Sequence, residues 1–301
     1  MSAFLRELRS PGVLLSALFL ALLILLAVFA PIVAPFDPVA QSAQRLALPS
    51  AEHLLGTDQF GRDVLSRLIY GSRIDLVVAF GAAALAATLG VTIGLIGGSS
   101  KGIVNLLSMR SIEVILAFPP IVFALMVVTM IGPGVLTLIV TMGILFAPAF
   151  ARIVYGEVLT LRNLEYVQAS TVIGTPKARV LFRVILPGVI APVLVQMSLT
   201  LAAALLLSSG LSYLGLGVVP PDPSWGGMIA EGQALMTRSP MLLFIAGGIV
   251  VATVLSFSVL ADALERSLDP RRRRSKKDKA VAFARTETIQ TRRVSTGRRL
   301  P

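Results

Sequence analysis

The side chains best suited to chemistry are scarce in this sequence, and their spacing argues against a reaction centre. His53 is the one histidine and cysteine is absent, so thiolate and imidazole metal clusters are both excluded, as is a disulfide framework. No Gly-x-x-x-x-Gly-Lys-Ser/Thr run occurs, which leaves the chain without a P-loop to cradle ATP phosphates. Asp63 and Arg67 stand at i, i+4 beside Val64, Leu65, Leu68 and Ile69, a pattern that predicts a solvated ion pair on an interfacial helix. A Ser-His protease dyad inside a membrane needs a histidine at membrane depth, whereas His53 falls in a connecting segment and reads as a surface residue. Asp262 has no second aspartate within an apolar run, so an aspartyl pair fails too. The most informative spacing is not catalytic. Gln168-Ala169-Ser170 is followed by Gly174 and then by Val184-Ile185-Leu186-Pro187. Small Ala169 and Ser170 let a partner approach one helix closely, Gly174 permits a sharp turn, and a second helix follows. Two short helices in that order suit a lever.

The composition says what carries the lever. Hydrophobic residues make up 55% of the 301 and charged residues 14%, with a mean hydropathy of +0.84, against about a quarter charged in soluble domains. A helix needs roughly 20 apolar residues to cross a ~30 Å hydrocarbon core. Stretches over 12–36, 76–98, 114–131, 135–155, 188–210 and 241–262 qualify, with Gly132-Pro133-Gly134 as the turn that splits the third from the fourth. The first stretch exceeds the roughly 7–15 residues of a signal-peptide core and reads as a retained span. The expectation is therefore an all-α membrane protein with six transmembrane helices. It has a short N-terminus (1–11), a membrane domain (12–270), a loop over 160–187 and a basic tail (271–301) whose end, 280–301, reads as unstructured.

A formal charge of +11 would suggest nucleic acid in a soluble protein, but here the basic residues sit at the ends of apolar runs and in the tail. Every Lys and Arg except Arg45, Arg62, Arg67, Arg73 and Arg238 falls on one side of the six spans, and the bias survives removal of the tail from Arg266 onward. The positive-inside rule then puts both termini and the 160–187 loop in the cytoplasm. Arg271 to Arg274 with Lys276, Lys277 and Lys279 read as a stop-transfer signal and as a contact for anionic lipid headgroups.

The Gln168 to Pro187 pattern resembles the EAA loop of ATP-binding cassette (ABC) import permeases, in which Glu-Ala-Ala, Gly and Ile-x-Leu-Pro stand at this spacing. Gln168, Ser170 and Val184 depart from it; glutamine keeps hydrogen-bonding capacity and loses the charge. Further stretches are similar to one branch, the dipeptide, oligopeptide and nickel permease family, and to the shorter-loop member of its two paired permeases. They are His53 to Asp63, Met109 to Glu113 with Leu116 to Pro119, Leu211 to Gly217, Ser224-Trp225-Gly226, and Leu268-Asp269-Pro270. The resemblance runs in order from Pro11 to Pro270. Ser258 and Ala261 replace the asparagine and glycine usual near the end of the last span.

That resemblance implies the type I ABC importer architecture, with a cytoplasmic coupling-helix loop, in a bacterial inner membrane. It implies a transport subunit and not an enzyme, without a bound cofactor of its own. Expected partners are a second related permease, two cytoplasmic subunits that carry ATP and Mg²⁺, an extracytoplasmic solute-binding protein and the membrane lipids, with no nucleic acid. Gln168, Ala169, Ser170, Gly174, Leu186 and Pro187 would transmit motion from the ATPases. Short peptides are the expected cargo, with nickel chelates, glutathione or another small solute as alternatives. Outside this class, an ion-coupled secondary transporter usually carries ionisable residues at the bilayer centre, and these spans are nearly free of them. Trp225 reads as an interfacial anchor, and Pro119, Pro148 and Pro192 as kinks.

Overall fold

A computed structural model describes residues 10–268; the N-terminal nine residues and residues 269–301, with the basic tail expected over 271–301, lie outside the described residues. Proline at the first turn of α1 (Pro11–Val28) starts a helix with no charge along its length, and α2 (Ala30–Val33) extends it by one turn. A segment of turns then leads to α3 (Val64–Ser99), whose 36 residues reach about 54 Å. The side on which α1 begins is called inner below, and the far side outer.

α3 starts a full three turns before the expected second span. Asp63 is the reason: its carboxylate accepts from the Ser66 N–H at 2.7 Å and caps the helix. The stretch read as a separate interfacial helix is the outer end of this one. α4 (Ile103–Leu116) and α5 (Pro120–Ile131) make up the third crossing and are bent by 88° against each other. A continuous third span is thus corrected to a broken one, because consecutive Pro119 and Pro120 remove two N–H donors and push the preceding residues out of the helix. At 12 residues, α5 covers only about 18 Å, so both halves are needed to cross. Gly132, at φ +103°, turns the chain into α6 (Val135–Leu161).

At the inner face, α7 (Glu165–Val172) and α8 (Lys177–Val180) follow. A wide π-type turn, Leu181–Ile185, joins α8 to α9 (Leu186–Tyr213), and the helix from Lys177 to Tyr213 is one apolar crossing. α10 (Trp225–Ala234) lies between α9 and the last crossing, α11 (Met241–Leu268). Among the described residues, five helices are each long and apolar enough to span a bilayer, and the bent pair brings the number to six when its two halves are counted as one span.

α3 and α6 pack along a seam of small residues. A Cβ on Gly90 would lie 2.3 Å from the Ala147 carbonyl oxygen, one on Gly94 2.7 Å from that of Ala151, and one on Gly98 2.7 Å from Val158 Cβ. Residue numbers rise together on both helices, so the pair is parallel. Glycines four apart let two backbones approach where lipid provides no hydrophobic drive to association. Ser258 and Ala261 sit within α11: the Ser258 hydroxyl bonds back to the Val254 carbonyl, and Ala261 is buried.

Candidate coupling loop and outer cap

α7 ends in a left-handed turn that glycine suits. Gly174 has φ +86°, its N–H donates to Thr171 O at 3.0 Å, and the Thr175 N–H donates to Ser170 O at 3.1 Å. These two bonds are the Schellman termination, which satisfies the last carbonyls of the helix. A Cβ on Gly174 would meet nothing within 4 Å, so the constraint there is conformational and not steric. The second short helix expected after Gly174 is corrected: α8 is the inner end of the fifth crossing. Leu186 and Pro187 stand in the first turn of α9, Leu186 half-buried and Pro187 exposed.

Gln168 and Ala169 are exposed, and Ser170 is half-buried. Their polar contacts are local. Gln168 Nε2 donates to Asn163 O at 3.3 Å, Ser170 Oγ to Tyr166 O at 2.8 Å and Thr171 Oγ1 to Gln168 O at 2.6 Å. What holds α7 to the bundle is apolar: its Val167 is buried in one cluster with Val180 of α8, Leu95 of α3, Val154 and Val158 of α6 and Val189 of α9. α7 thus shares one apolar cluster with the inner ends of three crossings. The outward side carries Val172 and Ile173, 87% and 83% exposed, and Tyr166. Exposed apolar side chains of this size, grouped at a turn, suit a partner surface. They were legible at Val172-Ile173, immediately before Gly174.

The outer end differs in kind, and three expectations are corrected there. Asp63 does not pair with Arg67. Asp63 Oδ1 meets His53 Nδ1 at 2.9 Å and Oδ2 accepts from the Ser66 N–H and hydroxyl, so His53 is 5% exposed and not a surface residue. Arg67, itself buried, donates through Nη1 and Nη2 to Glu231 of α10 at 2.6 and 2.9 Å, and also reaches Asp58. Arg62 Nε donates to Asp58 Oδ2 at 2.6 Å, and Arg62 Nη2 stands 3.3 Å from Glu231. Two arginines and two carboxylates thus balance in charge. Planar guanidinium groups suit such bridging because each offers several fixed donors.

Trp225 is not an interfacial anchor: it is fully buried, with its backbone N–H on Asp75 Oδ2 at 2.8 Å and its indole N–H on Leu68 O at 3.1 Å. Gly71 lies against the indole ring and Gly226 against the Ser209 carbonyl, which seats the first turn of α10 between α3 and α9. A cleft of about 200 Å³, lined by Arg62, Arg67, Tyr213, Asp222 and Glu231, opens beside the cluster. These partners lie more than a hundred residues from Arg67 and Leu68 in the chain, beyond the reach of local spacing.

Residues 90–274 match the family described as "Binding-protein-dependent transport system inner membrane component", and residues 2–49 match the "N-terminal TM domain of oligopeptide transport permease C". The chain is 35% identical over 270 residues to the di/tripeptide transport system permease protein DppC of Pseudomonas aeruginosa, covering 87% of this chain and 89% of that one. It is 35% identical over 273 residues to the oligopeptide permease OppC of Bacillus subtilis, covering 90% of each. With the glutathione permease GsiD of Pectobacterium atrosepticum the identity is 35% over 268 residues, 88% of this chain and 89% of the relative. Among solved structures, the inward-facing MetNI methionine ABC transporter shares the fold at TM-score 0.56 and 14% identity, over 67% of this chain and 97% of that one. An amino acid ABC transporter does so at TM-score 0.53 and 21% identity, over 68% and 95%. The chain belongs to the inner-membrane permease subunits of binding-protein-dependent ABC importers, in the dipeptide, oligopeptide and nickel permease branch.

Proposed function

We propose that the chain is one of two permeases that form the translocation pathway of an ATP-driven importer of short peptides. ATP and Mg²⁺ bind on two partner subunits, and an extracytoplasmic binding protein delivers the cargo. The observation that carries the reading is the seating of α7: its apolar outward face is exposed, while Val167 is buried in one apolar cluster with residues of three crossings. Gln168, Ala169, Ser170 and Gly174 meet the ATPase, and Leu186 and Pro187 pass its motion into α9. An ATPase dimer drives alternating access only through different affinities for the two permease states, so a rigid seat for α7 is a requirement. Relatives named as dipeptide and oligopeptide permeases support peptide cargo; the relative named for glutathione supports a second reading, uptake of that tripeptide.

Both termini and α7 are proposed to face the cytosol. The native chain has no cysteine, so a single Thr171→Cys gives a unique label site. A membrane-impermeant maleimide is expected to react with it in inverted membranes and not in intact cells. Reaction from outside intact cells overturns both the orientation and the coupling role. Co-purification of an ABC-type ATPase tests the partnership, and competition of uptake by dipeptides, longer peptides and glutathione separates the cargo readings.

A further inference from the structure

The break in the third crossing leaves main-chain groups without partners. Pro119 and Pro120 bring no N–H, so among the described residues the carbonyls of Leu116, Ala117 and Phe118 accept no hydrogen bond. The N–H groups of Ile121 and Val122, in the first turn of α5, donate none. All five residues are exposed. α5 reaches about 18 Å inward from the turn at Gly132, so the break lies within a ~30 Å hydrocarbon core. Lipid offers these groups no hydrogen bond. Irregular backbone at that depth persists only where protein covers it or where it lines a water-filled space.

α4 decides between protein and water. Arg110 Nη1 meets Glu113 Oε2 at 2.6 Å, and the two side chains are 69% and 50% exposed. Arg110 precedes Ala117 by about 10 Å of helix, so at any tilt of α4 the pair stands no more than about 28 Å from the Gly132 turn, inside the same core. Ionisable side chains at membrane depth face the bundle interior or a water-filled cavity. A protein covering this face would strip water from both charges at a large desolvation cost, whereas water meets the ion pair and the open main-chain groups together. We infer that the broken third crossing, from Arg110 to Val122, lines the water-filled passage through which the cargo moves. The inference rests on the two-permease pathway proposed above and names the surface that this chain contributes to it.

The chain has no cysteine, so single cysteines test this in native membranes opened to reagent from both sides. Phe118→Cys and Val122→Cys probe the break; Leu18→Cys and Leu25→Cys on the unbroken, uncharged α1 are comparably exposed references. Each is treated with a charged methanethiosulfonate and, separately, with N-ethylmaleimide. The charged reagent is expected to modify positions 118 and 122 at least about tenfold faster than 18 and 25, because the thiolate is the nucleophile and hydrocarbon keeps a thiol protonated. Equal rates on both helices put lipid at the break, and no reaction with either reagent at 118 and 122 puts protein there; each result overturns the inference. Two positions at the break keep the test decisive if one chain is not recovered folded. Charged modification of Val122→Cys is also expected to abolish dipeptide uptake, and full uptake by the modified chain places the water off the cargo's route and overturns the passage. Absence of dipeptide uptake in all four chains before modification counts against the peptide reading alone, since the labelling rates report water at the break independently of cargo.

Discussion

At the outer end of the bundle, Arg67 reaches Glu231 across 164 residues of chain and the Trp225 N–H reaches Asp75 across 150. At the inner end, the side-chain hydrogen bonds of Gln168, Ser170 and Thr171 close within five residues, and α7 is held by valines. Polar contacts of high sequence separation fix one arrangement, because each donor has an acceptor only there and a buried group left unpaired is costly. Apolar seating holds α7 by shape and accepts volume-conserving hydrophobic substitutions. The outer cap is thus built to hold α3 and α10 in place, while the inner loop bonds its polar groups locally and leaves Tyr166, Val172 and Ile173 exposed.

Arg67→Met gives the sharpest break in this contrast. It strands Asp58 and Glu231 without their main cation and is expected to destabilise the fold by about 3–5 kcal/mol, read as a large drop in melting temperature in detergent. A normal melting curve would mean that the cap is not what holds the outer end. Valine placed at one glycine in each region makes a matched pair. Gly226→Val drives a Cβ to 2.1 Å from the Ser209 carbonyl and costs about 1–3 kcal/mol or more through overpacking, seen as loss of folded protein. Gly174→Val has open space but a left-handed backbone, so it costs about 1–2 kcal/mol. That chain is expected to insert and fold while uptake is lost. Uptake at the wild-type level, with normal expression, removes Gly174 from the coupling site. The smallest effect is expected at exposed Gln168: Gln168→Ala shifts stability by less than about 0.5 kcal/mol. It weakens ATPase association in a pull-down titration about fivefold, the net value of one hydrogen bond.

The membrane crossings were legible because an uncharged run of the right length has few other fates, and Gly132-Pro133-Gly134 announced its own turn. Gly174 was legible for the same reason: its neighbours along the chain determine its conformation. Asp63 and Arg67 misled because i, i+4 spacing is a statement about neighbours on one helix, while both side chains answer to groups elsewhere, His53 and Ser66 for the first and Glu231 for the second. Trp225 misled in the same way, since aromatic residues between spans usually sit at the interface and only the Leu68 carbonyl and Asp75 make burial favourable. The glycine seam at Gly90, Gly94 and Gly98 was present as a four-residue repeat, but its partner helix was not the next one in the chain. The bend before Pro120 was carried by a second proline that a single kink at Pro119 did not include.

α3 joins the two regions. Its 36 residues contain no proline, and its Asp63 cap, the Arg67 cluster and the Asp75 contact lie at one end while Leu95 touches the α7 seat at the other. A helix of this kind behaves as a beam: tilting one end moves the other by a comparable distance. The fifth crossing, interrupted by Pro192 and by the wide turn at Leu181–Ile185, is jointed instead. The inner loop and the outer cap are thus joined by one unbroken helix, while the fifth crossing beside it has two places at which to bend.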